Sequence, residues 1–491
     1  MLLGTLLGRL PIDLNLNGVA DIEITGISED SRQVRAGDLF VARHGTKTDG
    51  SRFLDDARAR GAAAAIVQAR ETSCGLPQIV VPDVNRAASL LANAFFDQPD
   101  RQVRVLGVTG TNGKTTTAYL LRHILGKVGM RAGMIGTVEI DDGKTHREAE
   151  MTTPSATRIA ELLAAMRDNG CGACAMEVSS HALDQGRAAG VRFAGAAFTN
   201  LTGDHLDYHK SMDLYASAKA KLFASLDSSA IAAVNADDPA SERMLEACRG
   251  TVMRFGFGEE ADYRAMMPAY TPAGTHFVLK TPDGQTEVRM QLIGRHNIEN
   301  ALAAATLAGE VFRLSVHQIA SALRDAQGAP GRLQAVRCGQ PFTVLVDYAH
   351  TDDALWNVLS ALRPLAKGKL RVLFGCGGDR DRKKRPRMGA VAEELADVLY
   401  ITSDNPRTEE AESIIHEITA GLTGARAAIV EPERRQAIAH VLADARAGDI
   451  VLLAGKGHEN YQIIGSEKRH FDDVQEASKF LATRYGVRQT Q

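Results

Sequence analysis

The residues best placed to do chemistry begin at Gly107. The run Gly107-Val-Thr-Gly-Thr-Asn-Gly-Lys-Thr-Thr-Thr117 follows the strand-like VRVL and leads into the helix-like AYLLRHIL. A glycine-rich turn between a strand and a helix aims several backbone N–H groups at one spot, and the helix N-terminus adds partial positive charge there. Such a turn wraps a polyphosphate: Lys114 can reach the β and γ phosphates, and the Thr115 hydroxyl can sit on Mg²⁺. The strict spacing G-x-x-x-x-G-K-[ST] needs glycine at 108, where this chain has valine, but Gly107 and Gly110 keep the loop glycine-rich. The alternative is a turn that merely joins two elements. It is disfavoured because Lys114, Thr115, Thr116 and Thr117 stand where phosphate and metal need them. Cys171 and Cys174 form a C-x-x-C, but they lead into the apolar run AMEV instead of opening a helix, which points to core packing.

The elements that must hold this loop follow the rhythm of a doubly wound, mostly parallel α/β sheet. Apolar strands recur at AGMIGTV, CGACAMEVS, AGAAFTNL and SAIAAVNA, with helical stretches between several of them. Before the loop, a smaller α/β unit is predicted from DIEITGI, GDLFVAR, the helix FLDDARARGAAA, AAIVQ and PQIVVPD, ending at the polar break FFDQPDRQ. After the glycine- and proline-bearing QGAPGRLQ the alternation starts again, in a third, Rossmann-like α/β region: PFTVLVDYA, DDALWNVLSALRPL, KLRVLFGCGGD, MGAVAEELA, DVLYITSDNPR and DIVLLAGKG. Domains are expected at 1–100, 101–330 and 331–491. That number fits 491 residues, too many for one hydrophobic core.

Composition narrows the class. With 44% hydrophobic and 24% charged residues and a formal net charge of -3, no field of one sign recruits nucleic acid or membrane. Six cysteines are too sparse for a disulfide framework, and the N-terminal MLLGTLLGRL lacks the basic start and cleavage site of a signal peptide. A cytoplasmic enzyme of small-molecule substrates, acting as a monomer, is the expectation.

GTNGKTTT resembles the Mur ligase and folylpolyglutamate synthetase superfamily, and further blocks carry the same resemblance in order along the chain. They are MTTPS at 151–155, MEVSSHAL at 176–183, TNLTGDHLDYH at 199–209, YASAKAKLF at 215–223, GRHNIENALAA at 294–304, VDYAHTDDAL at 346–355, DNPRTEE at 404–410 and AGKGHE at 454–459. The resemblance implies an N-terminal domain for a UDP moiety, a central ATPase domain and a C-terminal domain for an amino acid. It also implies a reaction in which ATP phosphorylates a peptide carboxylate and an amine then displaces phosphate. Closure of the domains is implied too, since water would hydrolyse an exposed acyl phosphate, and GAPGR near 331 is the candidate hinge.

On that resemblance Gly110, Thr111, Asn112, Gly113, Lys114, Thr115 and Thr116 face ATP, with Asn297, Arg332 and Asp347 as further nucleotide contacts. Forming an acyl phosphate brings one anion onto another, so the site must neutralise charge. Glu177, at a strand end, can hold Mg²⁺ beside Thr115, and His205 resembles a ligand of a second Mg²⁺. Lys219 resembles the lysine that carries a CO₂-derived carbamate, with Lys221 as the competing candidate. The UDP-sugar peptide is expected at Glu29, Ser31, Thr46, Lys47, Thr48, Thr152, Thr153, Ser179, Gln185 and Arg187, with Met151 where many relatives have a polar residue.

Members of the superfamily add different amino acids, and DNPR bears on the choice. A planar guanidinium grips a carboxylate through two parallel hydrogen bonds. Arg407, with Asp404, Asn405, Pro406, Gly455 and with Arg380 of GGDRD, would grip the far carboxylate of meso-diaminopimelate, while Glu459 receives its ammonium. A lysine-adding ligase is the alternative. A nucleotide-switched binding protein is the reading from another class, and it would need the phosphate loop alone.

Overall fold

The computed structural model describes residues 1–10, 18–45, 48–426 and 428–486. Its contacts divide the chain into two compact units. One comprises Met1–Met267, Val278–Val288 and Glu299–Leu323, the other Pro268–Phe277, Arg289–Ile298 and Arg324–Gln491.

In the first unit a 4-stranded sheet comes first, with Gly26–Ser28, Asp38–Val41, Ala64–Val67 and Gln78–Val80 paired in parallel and in chain order. The N-terminal apolar run belongs to its core: Leu3, Leu6 and Leu7 are buried with Leu39, Ile66 and Leu91. The helix Val84–Phe95, absent from the sequence reading, starts where the Asp83 side chain accepts from Arg86 N and buries Val84, Ala87, Ala88 and Leu91. Side chains of this region bond to the larger sheet's segments in the same unit. The Glu29 carboxylate takes Arg43 (2.7 Å) and the Thr157 N–H (2.7 Å), and Ser89 Oγ donates to Arg187 O (3.1 Å).

In that larger sheet, Arg104–Thr109 lies between Phe193–Phe198 and Ala173–Glu177, parallel to both. Ala132–Ile135 flanks Ala173–Glu177, and Ile231–Asn235 flanks Phe193–Phe198, again in parallel. The chain runs from Arg104–Thr109 out to one side and then returns to the other, so the strand order reverses beside that strand. Open α/β sheets bind ligands at the carboxyl ends of strands at such a reversal. Gly110, Glu177 and Thr199 stand there. The edge departs from the expected parallel pattern: Glu139–Asp141 and His146–Glu148 are antiparallel additions. The strands Tyr263–Thr271, Gly274–Thr281 and Gly284–Met290 were also not read from the sequence. Cys171 and Cys174 are buried free thiols in the core, as expected.

The second unit carries a 6-stranded sheet. Thr343–Asp347, Ile450–Ala454, Leu370–Phe374, Val398–Ile401 and Ala428–Val430 are parallel neighbours in that order, and Gln334–Val336 is antiparallel at one edge. Gly331 packs so tightly on Gly457 that a Cβ would meet backbone at 2.1 Å, so within this unit the GAPGR segment is a packed junction.

Beneath the strand ends, Arg434 and Asp473 form an ion pair at 2.6 Å with both side chains fully buried. Arg434 also donates to Ala454 O at 3.0 Å and Ser403 O at 3.4 Å, so it ties the C-terminal helix Asp473–Tyr485 to two loops of the sheet. Removing one partner of a buried pair leaves an uncompensated charge. Asp473→Asn is therefore expected to destabilise the protein by about 3–5 kcal/mol in denaturant unfolding. A change below about 0.5 kcal/mol, the size of an ordinary surface substitution, would refute it.

Candidate active site

The phosphate loop is fixed by its neighbours. Gly113, at φ +86°, caps the helix Lys114–Lys127, and a Cβ there would lie 2.2 Å from Asn300 Oδ1. Gly110, at φ +150°, would meet Thr199 Oγ1 at 1.9 Å. Thr199 Oγ1 donates to Asn112 O (2.6 Å), and Asn200 accepts from the N–H groups of both Asn112 and Thr111 (each 2.9 Å). Thr199, Asn200 and Asn300 thus shape the loop. Sequence reasoning missed them as contacts, although all three lie in quoted motifs. Gly113→Ala is expected to raise the KM for ATP at least tenfold, because the new methyl must displace the Asn300 carboxamide and hold a left-handed backbone costing about 1–3 kcal/mol. An unchanged ATP dependence in steady-state kinetics would refute that.

Lys114 folds back to donate to Gly110 O (2.9 Å) and Thr111 O (2.8 Å), so its ammonium sits over the loop's concavity. Glu177 is fully buried, and its carboxylate collects hydroxyls. Thr115 Oγ1 donates to Oε2 (2.9 Å), Thr137 N to Oε1 (2.8 Å), and Thr137 Oγ1 lies 3.0 Å from both Oε2 and Thr152 Oγ1. Thr153 Oγ1 donates to the Glu177 carbonyl (2.9 Å). The pairs Thr115–Glu177 and Thr152–Thr153 are therefore joined in one hydroxyl network. A hydroxyl and a single carboxylate beside a phosphate cradle suit Mg²⁺, which keeps waters and phosphate oxygens as its other ligands. Among the described residues no three His, Cys, Asp or Glu side chains converge as a metal cluster.

Lys219 is 1% exposed on the helix Met212–Ala224. Its Nζ donates to Gly110 O at 2.8 Å and lies 4.3 Å from the centre of the Tyr215 ring. Burial, reinforced by the nearby Lys114 cation and opposed by Asp204, holds its ammonium well below the usual lysine range. The alternative, Lys221, is half exposed and paired with Asp184 at 2.7 Å. His205 stands apart from Glu177's partners. It has a left-handed backbone (φ 54°), pairs weakly with Asp204 (3.5 Å), and its ring lies 4.8 Å from His181.

Of the residues expected to face the UDP-sugar peptide, Thr152, Thr153, Ser179, Gln185 and Arg187 gather. Arg187 donates to Thr153 O (2.9 Å) and to Gln185 Oε1, and Thr153 Oγ1 lies 3.3 Å from Ser179 Oγ. Met151 is within reach, its Sδ 3.7 Å from Arg187 Nη1. Glu29 is held by Arg43 and Thr157, Ser31 is buried, and Thr48 is exposed. Thr46 and Lys47 lie outside the described residues.

In the second unit Asn297 Nδ2 donates to Ile293 O (2.8 Å). Asp347 accepts the N–H groups of Leu333 (2.7 Å) and Ala349 (2.8 Å), and burial pushes its carboxyl above the usual range. The Arg332 guanidinium lies over the Tyr348 ring at 4.8 Å. At the carboxyl ends of the neighbouring strands, Asn405 Nδ2 donates to Glu459 Oε2 (2.9 Å), and Arg407 Nη1 donates to Gly378 O (2.7 Å). Asp404 and Pro406 are buried in the same segment, Gly455 (φ +109°) turns beside Asp404, and Arg380 is exposed. A cavity of about 700 Å³ is lined by Pro406, Arg407, Glu409, Glu433 and Arg435 among others, and Asn405 and Glu459 are not part of its lining. Sequence reasoning also missed Lys456, a fully buried lysine within 3.4 Å of Asp404 and 3.3 Å of Glu459.

Models of the Mur ligase family catalytic domain, the Mur ligase middle domain and the Mur ligase glutamate ligase domain match residues 23–96, 108–308 and 331–457. A UDP-N-acetylmuramoyl-L-alanyl-D-glutamate--2,6-diaminopimelate ligase of Gloeobacter violaceus is 45% identical over 489 residues, 99% of each chain. One of Bacillus cereus is 42% identical over 94% of this chain and 95% of its own. A solved structure of a ligase with that name is 33% identical with TM-score 0.74, covering 99% of both chains. MurF from Acinetobacter baumannii, at 23% identity and TM-score 0.62 over 91% of this chain and 94% of its own, shares the fold. With the phosphate loop, the Glu177 hydroxyl network and a second strand-end cluster in place, and with these matches running in order along nearly its whole length, the chain belongs to the Mur ligase family.

Proposed function

We propose that this chain is the ADP-forming ligase that joins meso-2,6-diaminopimelate to the D-glutamate of UDP-N-acetylmuramoyl-L-alanyl-D-glutamate, a step of peptidoglycan synthesis. The observation that carries the substrate assignment is the strand-end segment in which Asn405 and Glu459 bond each other while Arg407, two residues along from Asn405, bonds Gly378 O through one of its guanidinium nitrogens and keeps its other donors for a carboxylate. A second carboxylate and ammonium on the incoming amino acid match that pair of charges; lysine would leave the guanidinium without a carboxylate. Full-length relatives bearing that activity's name support the same reading.

In the proposed reaction the glutamate carboxylate attacks the γ-phosphorus of ATP, ADP leaves, and the amine of diaminopimelate attacks the acyl carbon to expel phosphate. Lys114 leaves its two carbonyl partners for phosphate oxygens, and the loop N–H groups hold the rest of the polyphosphate. Bound Mg²⁺ would neutralise charge between nucleotide and carboxylate, with Thr115 and Glu177 as its holders and His205 assigned to a second ion. The neutral amine of Lys219 is the form that adds CO₂, and as a carbamate it would be anionic. Thr152 and Thr153 are assigned to the peptide carboxylate; Thr152 is linked to the Glu177 carboxylate through the Thr137 hydroxyl, and Thr153 bonds the Glu177 carbonyl, which supports that reading. Division into a UDP-substrate domain at 1–100, an ATP domain at 101–330 and an amino-acid domain at 331–491 is part of the proposal, as is action as a monomer in the cytoplasm. Among the described residues no helix is long and apolar enough to cross a membrane.

Phosphate release from ATP and the UDP-dipeptide tests the assignment. Turnover with meso-diaminopimelate and not with L-lysine is expected. Turnover with lysine alone would keep the ligase and overturn the substrate, and silence with both would overturn the reaction.

A further inference from the structure

We infer that Lys456 is a positioning residue of the amino-acid pocket, a built-in counter-cation that orients the Asn405 carboxamide and keeps Glu459 set as a carboxylate for the incoming ammonium. This rests on the reading that a diamino diacid occupies the Asn405–Arg407–Glu459 cluster. The left-handed turn at Gly455 sends the Lys456 side chain into the unit's interior, where it is fully buried. Its Nζ lies 3.4 Å from Asp404 Oδ1, 3.4 Å from Asn405 Oδ1 and 3.3 Å from Glu459 Oε2. It is committed to no single acceptor. An ion taken so far out of water is retained only with partners on several sides, and here all the acceptors are walls of the pocket.

The consequence for Asn405 is geometric. Its Oδ1 accepts from Ile463 N at 2.9 Å as well as from Lys456, so the carbonyl is pinned from two directions and Nδ2 must face Glu459 Oε2. Without the ammonium one of those two directions is lost. For Glu459 the consequence is electrostatic. Burial pushes its carboxyl up, the Asp404 carboxylate adds to this, and Lys456 and the Asn405 amide oppose it. The Arg434 guanidinium and the Tyr348 phenol also face it. His458 next to it is half-buried, and desolvation and the Arg332 cation lower its pKa to about 4, so it brings no cation at neutral pH.

The test uses the full-length protein, with ATP and UDP-dipeptide saturating and diaminopimelate varied from about pH 6 to 9. Lys456→Met is expected to raise the KM for diaminopimelate at least tenfold at neutral pH, with the gap narrowing as pH rises and Glu459 ionises without help. The KM for ATP should stay within about threefold. A parental KM and pH profile would overturn the proposal, as would an equal rise for all substrates at every pH, the mark of mere structural damage. If Lys456→Met does not fold, Lys456→Arg carries the test. It keeps the charge but crowds Asn405, so a raised diaminopimelate KM with the parental pH profile is expected, and an unchanged KM overturns the idea. A parent that releases no phosphate with diaminopimelate sinks the substrate reading itself, and this proposal with it; a parent that does, beside an unaltered variant, sinks this proposal alone.

Discussion

Lys219→Ala is expected to lower ligase turnover by at least about a hundredfold to a thousandfold, the cost of removing one preorganised electrostatic group from a charge-transfer site. Added acetate or propionate should restore part of it. An ammonium buried with a carbonyl and an aromatic face for neighbours is poorly solvated, and the Lys114 cation close by repels it. Burial therefore favours the neutral amine, and it is the neutral amine's lone pair that attacks the carbon of CO₂, with loss of a proton, to give a carbamate. A small free acid entering the space left by alanine replaces the missing carboxylate. Loss of activity without rescue would assign Lys219 to its bond with Gly110 O instead, and activity within tenfold of the parent would remove it from the chemistry.

The same burial makes a stability prediction with a definite sign. A lysine whose folded pKa lies below its unfolded value of about 10.4 leaves the unfolded chain binding more protons between those two values. Its contribution is most favourable above about pH 10.4 and is lost as pH falls toward the folded pKa. In CO₂-free buffer Lys219→Met should therefore melt higher than the parent at pH 7, by about 2–4 °C for each kcal/mol relieved, and the two should converge near pH 10. Equal melting temperatures at pH 7 would contradict the buried-amine account.

What could be read from the sequence divides by distance along the chain. Gly113, Lys114 and Thr115 are adjacent, and the strand and helix that flank them are locally encoded, so the loop was legible. Asn300 reaches Thr117 across 183 positions, and Asn200 reaches Asn112 across 88, so their part in shaping the loop became visible only on folding. The strands between Tyr263 and Met290 were missed because their exposed faces break the apolar runs that marked the other strands. Lys456 sits in AGKGHE beside Glu459, yet a lysine in a glycine turn reads as solvated surface; only the Gly455 turn reveals it as buried. The partners of Glu29 were likewise hidden by distance: the fold sets it between Arg43, 14 positions on, and Thr157 at the N-terminus of the helix Ala156–Asp168, 128 positions on.

Arg407→Ala is expected to raise the KM for diaminopimelate about a hundredfold to ten-thousandfold while leaving the KM values for ATP and the UDP-dipeptide within about threefold. Two charge-assisted hydrogen bonds to a carboxylate contribute about 1.5–3 kcal/mol each, and every 1.4 kcal/mol is tenfold. Truncation should not unfold the pocket, because the backbone of Arg407 is what bridges to the neighbouring hairpin: its N–H donates to Ile463 O at 3.1 Å and its carbonyl accepts from Gly465 N at 2.7 Å. Alanine keeps both bonds. The side chain's own internal bond, to Gly378 O, uses one of the five donors a guanidinium carries and aims the group from the loop that also bears Arg380. Arg407→Lys separates charge from geometry. A point charge cannot make two parallel bonds, so it should recover only a minor part of the loss. Full recovery by lysine would mean that the site reads charge alone, and equal losses for all three substrates would move Arg407 out of the amino-acid pocket and into the scaffold of the strand ends.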